Sequence, residues 1–178
     1  MTLAAIGRTI QDVGVFTALR ESAYVYPLVL ATHLACIAIF GGMILVTNLR
    51  LLGWALTDIP AAGLIASLRP WKQWGFTVMV SCGVLLGASK AEEYLTNPFF
   101  QVKLALLAVL GVHGLYFSRK VYRREERSIL PSQAKAAAVL SLVLWVSVLS
   151  MGRWIAYYDP PAPEQQQVKR GSSGYGPP

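Results

Sequence analysis

Charge is what this chain has least of. Only 14% of its 178 residues are Asp, Glu, Lys or Arg and 54% are hydrophobic, where an average soluble domain is roughly one quarter charged. Mean hydropathy is +0.47. That leaves too little polar surface for a water-soluble domain, so the expected solvent is lipid. Groups able to carry chemistry are equally few: two histidines, two cysteines, and nine acidic residues against sixteen basic ones. Cys36 and Cys82 each sit alone in an apolar run with no Cys or His at metal-ligand spacing. This excludes a zinc site or C-x-x-C redox chemistry and reads as two small core residues. The sequence has no Gly-rich phosphate loop, no H-E-x-x-H and no carboxylate pair in a pocket-forming segment. Ser81, Ser147 and Ser150 lack a His and Asp arrangement to activate them. No strand-period alternation and no internal repeat competes with a helical reading. No cleavable signal peptide is expected, because Arg8, Asp12, Arg20 and Glu21 precede the first long apolar run and no A-x-A site follows it.

What the chain does have is four long apolar runs. Residues 24–47 carry no charge and match the length of a membrane-spanning helix. Residues 74–89 form a shorter run edged by Lys72 and Lys90, whose stems can snorkel, with Gly83 and Gly87 as a small-residue packing face. Residues 99–118 hold Lys103 one turn inside, and residues 134–158 hold Arg153 near their end. The pattern predicts an all-α integral membrane four-helix bundle over residues 22–158. In front of it, Leu3, Ile6, Ile10, Val13, Phe16 and Leu19 recur at helical spacing, with Arg8, Asp12 and Arg20 off that stripe. Residues 1–21 are therefore read as an amphipathic interfacial helix. Thr57 or Asp58 is expected to cap a short helix that begins at Pro60 and stops before Pro70. Residues 159–178, rich in Pro, Gly, Gln and Ser, read as a flexible tail.

The basic residues set an orientation. Arg119, Lys120, Arg123, Arg124, Arg127 and Lys135 crowd the connection between the third and fourth runs, which the positive-inside rule places in the cytoplasm. Alternation then puts Arg50, Arg69 and Lys72 on the same side, and both termini on the periplasmic side of a bacterial inner (cytoplasmic) membrane. The net charge of +7 is thereby explained as a topology signal, and no nucleic-acid partner is expected.

His33 and His113 both fall inside apolar runs. An ionisable side chain at that depth is costly, and imidazole is an axial ligand for haem iron. The alternative is a neutral histidine hydrogen-bonded between helices. The first and third runs are parallel, and the two histidines are staggered along them by five residues, roughly 7 Å at 1.5 Å per residue, so a haem shared by both is not favoured. Lys90, Lys103 and Arg153 are expected near the outer level just above His33, where haem propionates, a quinone oxygen, or Glu92 and Glu93 are the available anionic partners. The competing reading has the lysines snorkelling and Arg153 anchoring a helix end beside Trp154, Tyr157 and Tyr158 in an aromatic belt.

The segments ESAYVYPLVLATHL, NLRLLG, KAEEYLTNPFFQVKLALL and SMGRWIAYY resemble a bacterial family of four-span membrane proteins known only as a domain of unknown function. The likeness covers most of residues 10–158 and implies membership without an activity. More distantly, His33 and the Val102-Lys103-Leu104 entry to the third run resemble the membrane protoporphyrinogen oxidase HemJ and copper-resistance D-type proteins. The HemJ pattern implies a haem-binding role for His33 and a functional role for Lys103. That enzyme's first span ends in an aromatic and Arg-rich segment, where this chain has GGMILVTNLRLLG. The departure bears on porphyrinogen oxidation, not on haem ligation.

The function expected is a b-type haem electron-transfer subunit, with haem b at His33, His113 or an external group as second ligand, and quinone or a partner redox protein of a larger membrane complex exchanging electrons near the outer face. A cofactor-free accessory subunit of such a complex is the alternative. Copper transport is the third reading, offered only scattered soft ligands in Met43, Met79, Met151, Cys36 and Cys82.

Overall fold

The computed structural model describes residues 2–123 and 131–158. The basic connection at 124–130 and the tail at 159–178 lie outside the described residues, and with them the expectations placed there. The chain is all-α: α1 Leu3–Gln11, α2 Gly14–Glu21, α3 Val25–Leu52, α4 Ala61–Ser89, α5 Ala91–Thr96, α6 Pro98–Arg123 and α7 Pro131–Ile155. Three helices, α3, α6 over Pro98–Tyr116 and α7 over Ser132–Ile155, are long and apolar enough to cross a membrane. Leu28, Leu34, Ile39, Val112, Leu115, Val143 and Val146 are exposed. Apolar side chains turned outward along helices of this length need lipid around them, which makes the chain a membrane protein.

Helix α3 sits in the middle, packed on α4 along one side and on α7 along the other, and α7 in turn packs on α6. Small residues set these seams. A Cβ on Gly41 of α3 would lie 2.8 Å from Nε1 of Trp145 on α7, so the buried indole rests against bare backbone. Phe40 meets Trp145 edge-on at 5.6 Å and Phe76 of α4 at 5.8 Å. Gly75 of α4 leaves room for Phe40 and Met43. At the far end of α3, Gly53 takes φ 79° and ends the helix, and Arg50 closes the following loop by donating to the carbonyls of Ile59 and Thr57.

Two local expectations are corrected. The helix predicted to stop before Pro70 instead continues to Ser89 as α4, with Pro60 at its cap position and no side-chain cap bond from Thr57 or Asp58. Pro70 removes one backbone donor at a cost of about 3 kcal/mol in a helix interior, against which stand the contacts of α4 with α3 beyond it, Lys72 on Thr47 and Gly75 against Phe40. The single helix predicted over the N-terminal segment is two, because Val13 is extended (φ −62°, ψ 127°) between α1 and α2. The Asp12 N–H closes α1 onto the Arg8 carbonyl, and the Thr17 hydroxyl donates to the Gln11 carbonyl across the break. The apolar spacing runs on through this turn, so periodicity alone does not show it.

These two helices cap the end of the bundle where α5 lies. Gly7 is buried against α5, and a Cβ there would sit 2.5 Å from the Glu92 Cα. Arg8 Nε donates to Glu92 Oε1 at 2.6 Å, the Glu92 N–H donates to Gln11 Oε1 at 3.2 Å, and Arg20 donates to the Ser89 carbonyl. Gly7→Ala is expected to lift α1 off α5, because backbone cannot yield as a flexible side chain does. The cost should be about 1–2 kcal/mol, read as a lower thermal midpoint with faster amide exchange confined to α1 and α5. Asn97, buried beside this cap, accepts from the Phe99 and Phe100 N–H groups and donates to the Ile155 carbonyl of α7. It is the N-cap of α6, with Pro98 at the first helical position.

Candidate functional site

Glycines on α4 open the space in which His33 lies. The His33 Nδ1 is 2.8 Å from the Met79 carbonyl oxygen of α4. A carbonyl only accepts, so Nδ1 carries the proton and the lone pair of the neutral ring is on Nε2. A Cβ on Gly83 would meet His33 Cε1 at 3.0 Å and Nε2 at 3.8 Å. One turn on, a Cβ on Gly87 would meet Phe100 Cζ at 3.8 Å. The small-residue face of α4 thus receives ring side chains from α3 and α6 rather than another helix backbone.

Lys103 of α6 is half-buried. Its Nζ reaches across to α7, 3.6 Å from the position a Cβ would take on Gly152. Among the described residues no carboxylate pairs with this ammonium and no acceptor hydrogen-bonds it. Of the sequence-predicted residues, His33 and Lys103 each lie against a glycine of another helix, Gly83 and Gly152. A half-buried cation without a counter-charge favours an anionic or carbonyl ligand beside it.

The other candidates are placed elsewhere. His113 Nε2 donates to the Ala137 carbonyl at 3.2 Å and ties α6 to α7. It lies seven residues further along its helix than His33 does along α3, a stagger of roughly 10 Å at 1.5 Å per residue, and the two rings bond to different helices. Lys90 is half-buried at the junction of α4 and α5. Glu92, offered as a partner for these cations, is engaged by Arg8 and Gln11 instead. Arg153 is exposed, donates to the Tyr157 hydroxyl at 2.6 Å and lies over that ring at 4.9 Å. With Trp154 also exposed, this is the geometry of an aromatic-belt anchor. Arg153→Lys is expected to change stability by less than about 0.5 kcal/mol, since lysine keeps the charge and snorkels too. A weakened or shifted ligand in that variant would instead assign Arg153 to the site.

Sequence reasoning missed the aromatic rim between this site and the cap. Tyr94 of α5 stacks on Phe100 with centroids 5.3 Å apart. Burial, with Tyr26 and Glu93 alongside, pushes the Tyr94 hydroxyl up to about 12, so it stays a neutral donor. Nothing in residue spacing points to this pair, because α5 is a six-residue helix between two longer runs.

The chemistry of these residues suits a haem: His33 would supply a nitrogen base whose other ring nitrogen is held by a backbone carbonyl, as in many metal-ligating histidines, and Lys103 would supply a cation for a propionate. His113 is turned to the Ala137 carbonyl of α7. Among the described residues no group of three or more His, Cys, Asp or Glu side chains could hold a metal ion.

Residues 6–158 match the Family of unknown function (DUF6644). The chain belongs to this family. The match takes in α2 to α7, most of α1 and both histidines, and ends where the tail begins. No curated protein and no solved structure matches the chain significantly.

Proposed function

We propose that the chain is a b-type haem-binding electron-transfer subunit of the bacterial inner membrane. It spans the bilayer four times, α4 included, with both termini on the periplasmic side. The observation that supports this reading is the His33 to Met79 hydrogen bond, which leaves Nε2 as a base, in a chain that also holds the half-buried, uncompensated Lys103. Haem would supply one-electron redox chemistry. The chain's own residues would bind and orient it: His33 through Nε2 and Lys103 as cation for a propionate. Quinone or a redox partner in a larger complex would exchange electrons at the outer face, beyond Phe100 and Tyr94. Expression with excess haem followed by pyridine haemochrome analysis should find about one haem b per chain. No bound haem would end this reading.

A second reading, a cofactor-free accessory subunit of a larger membrane complex, is favoured by one specific observation. Both histidines already hydrogen-bond a backbone carbonyl of a neighbouring helix, as purely structural residues would. A haem-free protein that co-purifies with partner chains in mild detergent would support it.

A further inference from the structure

The end of the bundle opposite α5 holds a second half-buried lysine, Lys72 of α4. Its hydrogen-bond partner is Thr47 Oγ1 on α3, at 2.6 Å. That hydroxyl gives its own proton to the Met43 carbonyl at 2.7 Å, so toward Lys72 it is a neutral acceptor and offsets no charge. Behind it, buried Asn48 donates to Ser141 Oγ of α7 at 3.1 Å, which seals the bundle interior with uncharged groups. Between Arg50 and Lys72 the chain has three cations and one acid, Asp58, and among the described residues no carboxylate pairs with Lys72. Trp71 and Trp74 flank the lysine on α4 and are exposed, as is Trp54 beyond the end of α3. Exposed indoles at the edge of an apolar run, as Trp71 and Trp74 are at the start of residues 74–89, mark headgroup depth. Exposed Phe76 and Val80, one turn apart on the face next to Lys72, continue along α4 toward the bilayer centre.

We propose that Lys72 seats the phosphate of an anionic phospholipid at the groove between α3 and α4, with Thr47 aiming the ammonium and α4 carrying the acyl chain. A free phosphate ion would have no use for that apolar track. The proposal is independent of haem binding and of which side of the membrane this end faces.

The test is native mass spectrometry of the full chain released from nanodiscs of phosphatidylglycerol and phosphatidylcholine mixed equally. Wild type should retain one phosphatidylglycerol in preference to phosphatidylcholine, and inorganic phosphate should not displace it. Lys72→Gln should lower retention about tenfold, Lys72→Arg should keep it, and Lys135→Gln, which removes an exposed charge from α7, should leave it unchanged. Thr47→Val, which keeps the charge but frees its direction, should give an intermediate loss and provides the readout if Lys72→Gln fails to fold. Equal retention in wild type and Lys72→Gln, equal losses in Lys72→Gln and Lys135→Gln, or displacement by inorganic phosphate would each overturn the assignment.

Discussion

Replacing Gly41 by valine is expected to lower stability by about 2–3 kcal/mol, roughly 5–10 °C in the thermal midpoint of the detergent-solubilised protein. The Cβ alone would lie 2.8 Å from Trp145 Nε1 and 3.0 Å from its Cζ2. Trp145 is itself buried and held edge-on by Phe40, so the indole cannot swing aside without reopening the contact with α3. Gly42, the next residue, provides the control: a Cβ there meets nothing within 4 Å, and Gly42→Val should stay within about 0.5 kcal/mol of wild type. Equal losses in the two variants would show that helix propensity, not the α3–α7 seam, governs this position.

The second large effect is expected at the histidines, and it separates them. His33→Ala removes both the Met79 tie and the Nε2 base, so bound haem should fall at least tenfold. His113→Ala loses the hydrogen bond to Ala137 that ties α6 to α7, worth about 1 kcal/mol, and should leave haem content and spectrum unchanged. Pyridine haemochrome measured on equal amounts of each folded variant is the readout. Loss of haem in both variants together, with thermal stability kept, would mean that the two rings share one cofactor after all.

The long elements were legible because each is a run of apolar residues bounded by charge, and lipid demands little else of a spanning helix. Boundaries were less legible where tertiary packing overrides a local rule. Pro70 reads as a stop, yet α4 passes through it and is held against α3 beyond it, by Lys72 on Thr47 and Gly75 against Phe40. The turn at Val13 leaves the spacing of apolar residues intact and so hides the split between α1 and α2. At the site, His33 and Lys103 could each be singled out as ionisable groups in apolar surroundings. What each lies against could not be read, because that depends on Gly83 and Gly152 on two other helices. The pairing of Glu92 with Arg8 was missed for the same reason: α1 folding back onto α5 is a tertiary event that no local pattern encodes.

The central claim, that His33 Nε2 is a haem ligand, is tested most directly by chemical rescue. His33→Gly, expressed with excess haem and purified, should lack the haem absorption of the wild type, and adding imidazole should restore it by filling the vacated position with the same base. A His33→Gly protein that keeps the wild-type spectrum without imidazole, or a wild type that binds no haem at all, would contradict the account.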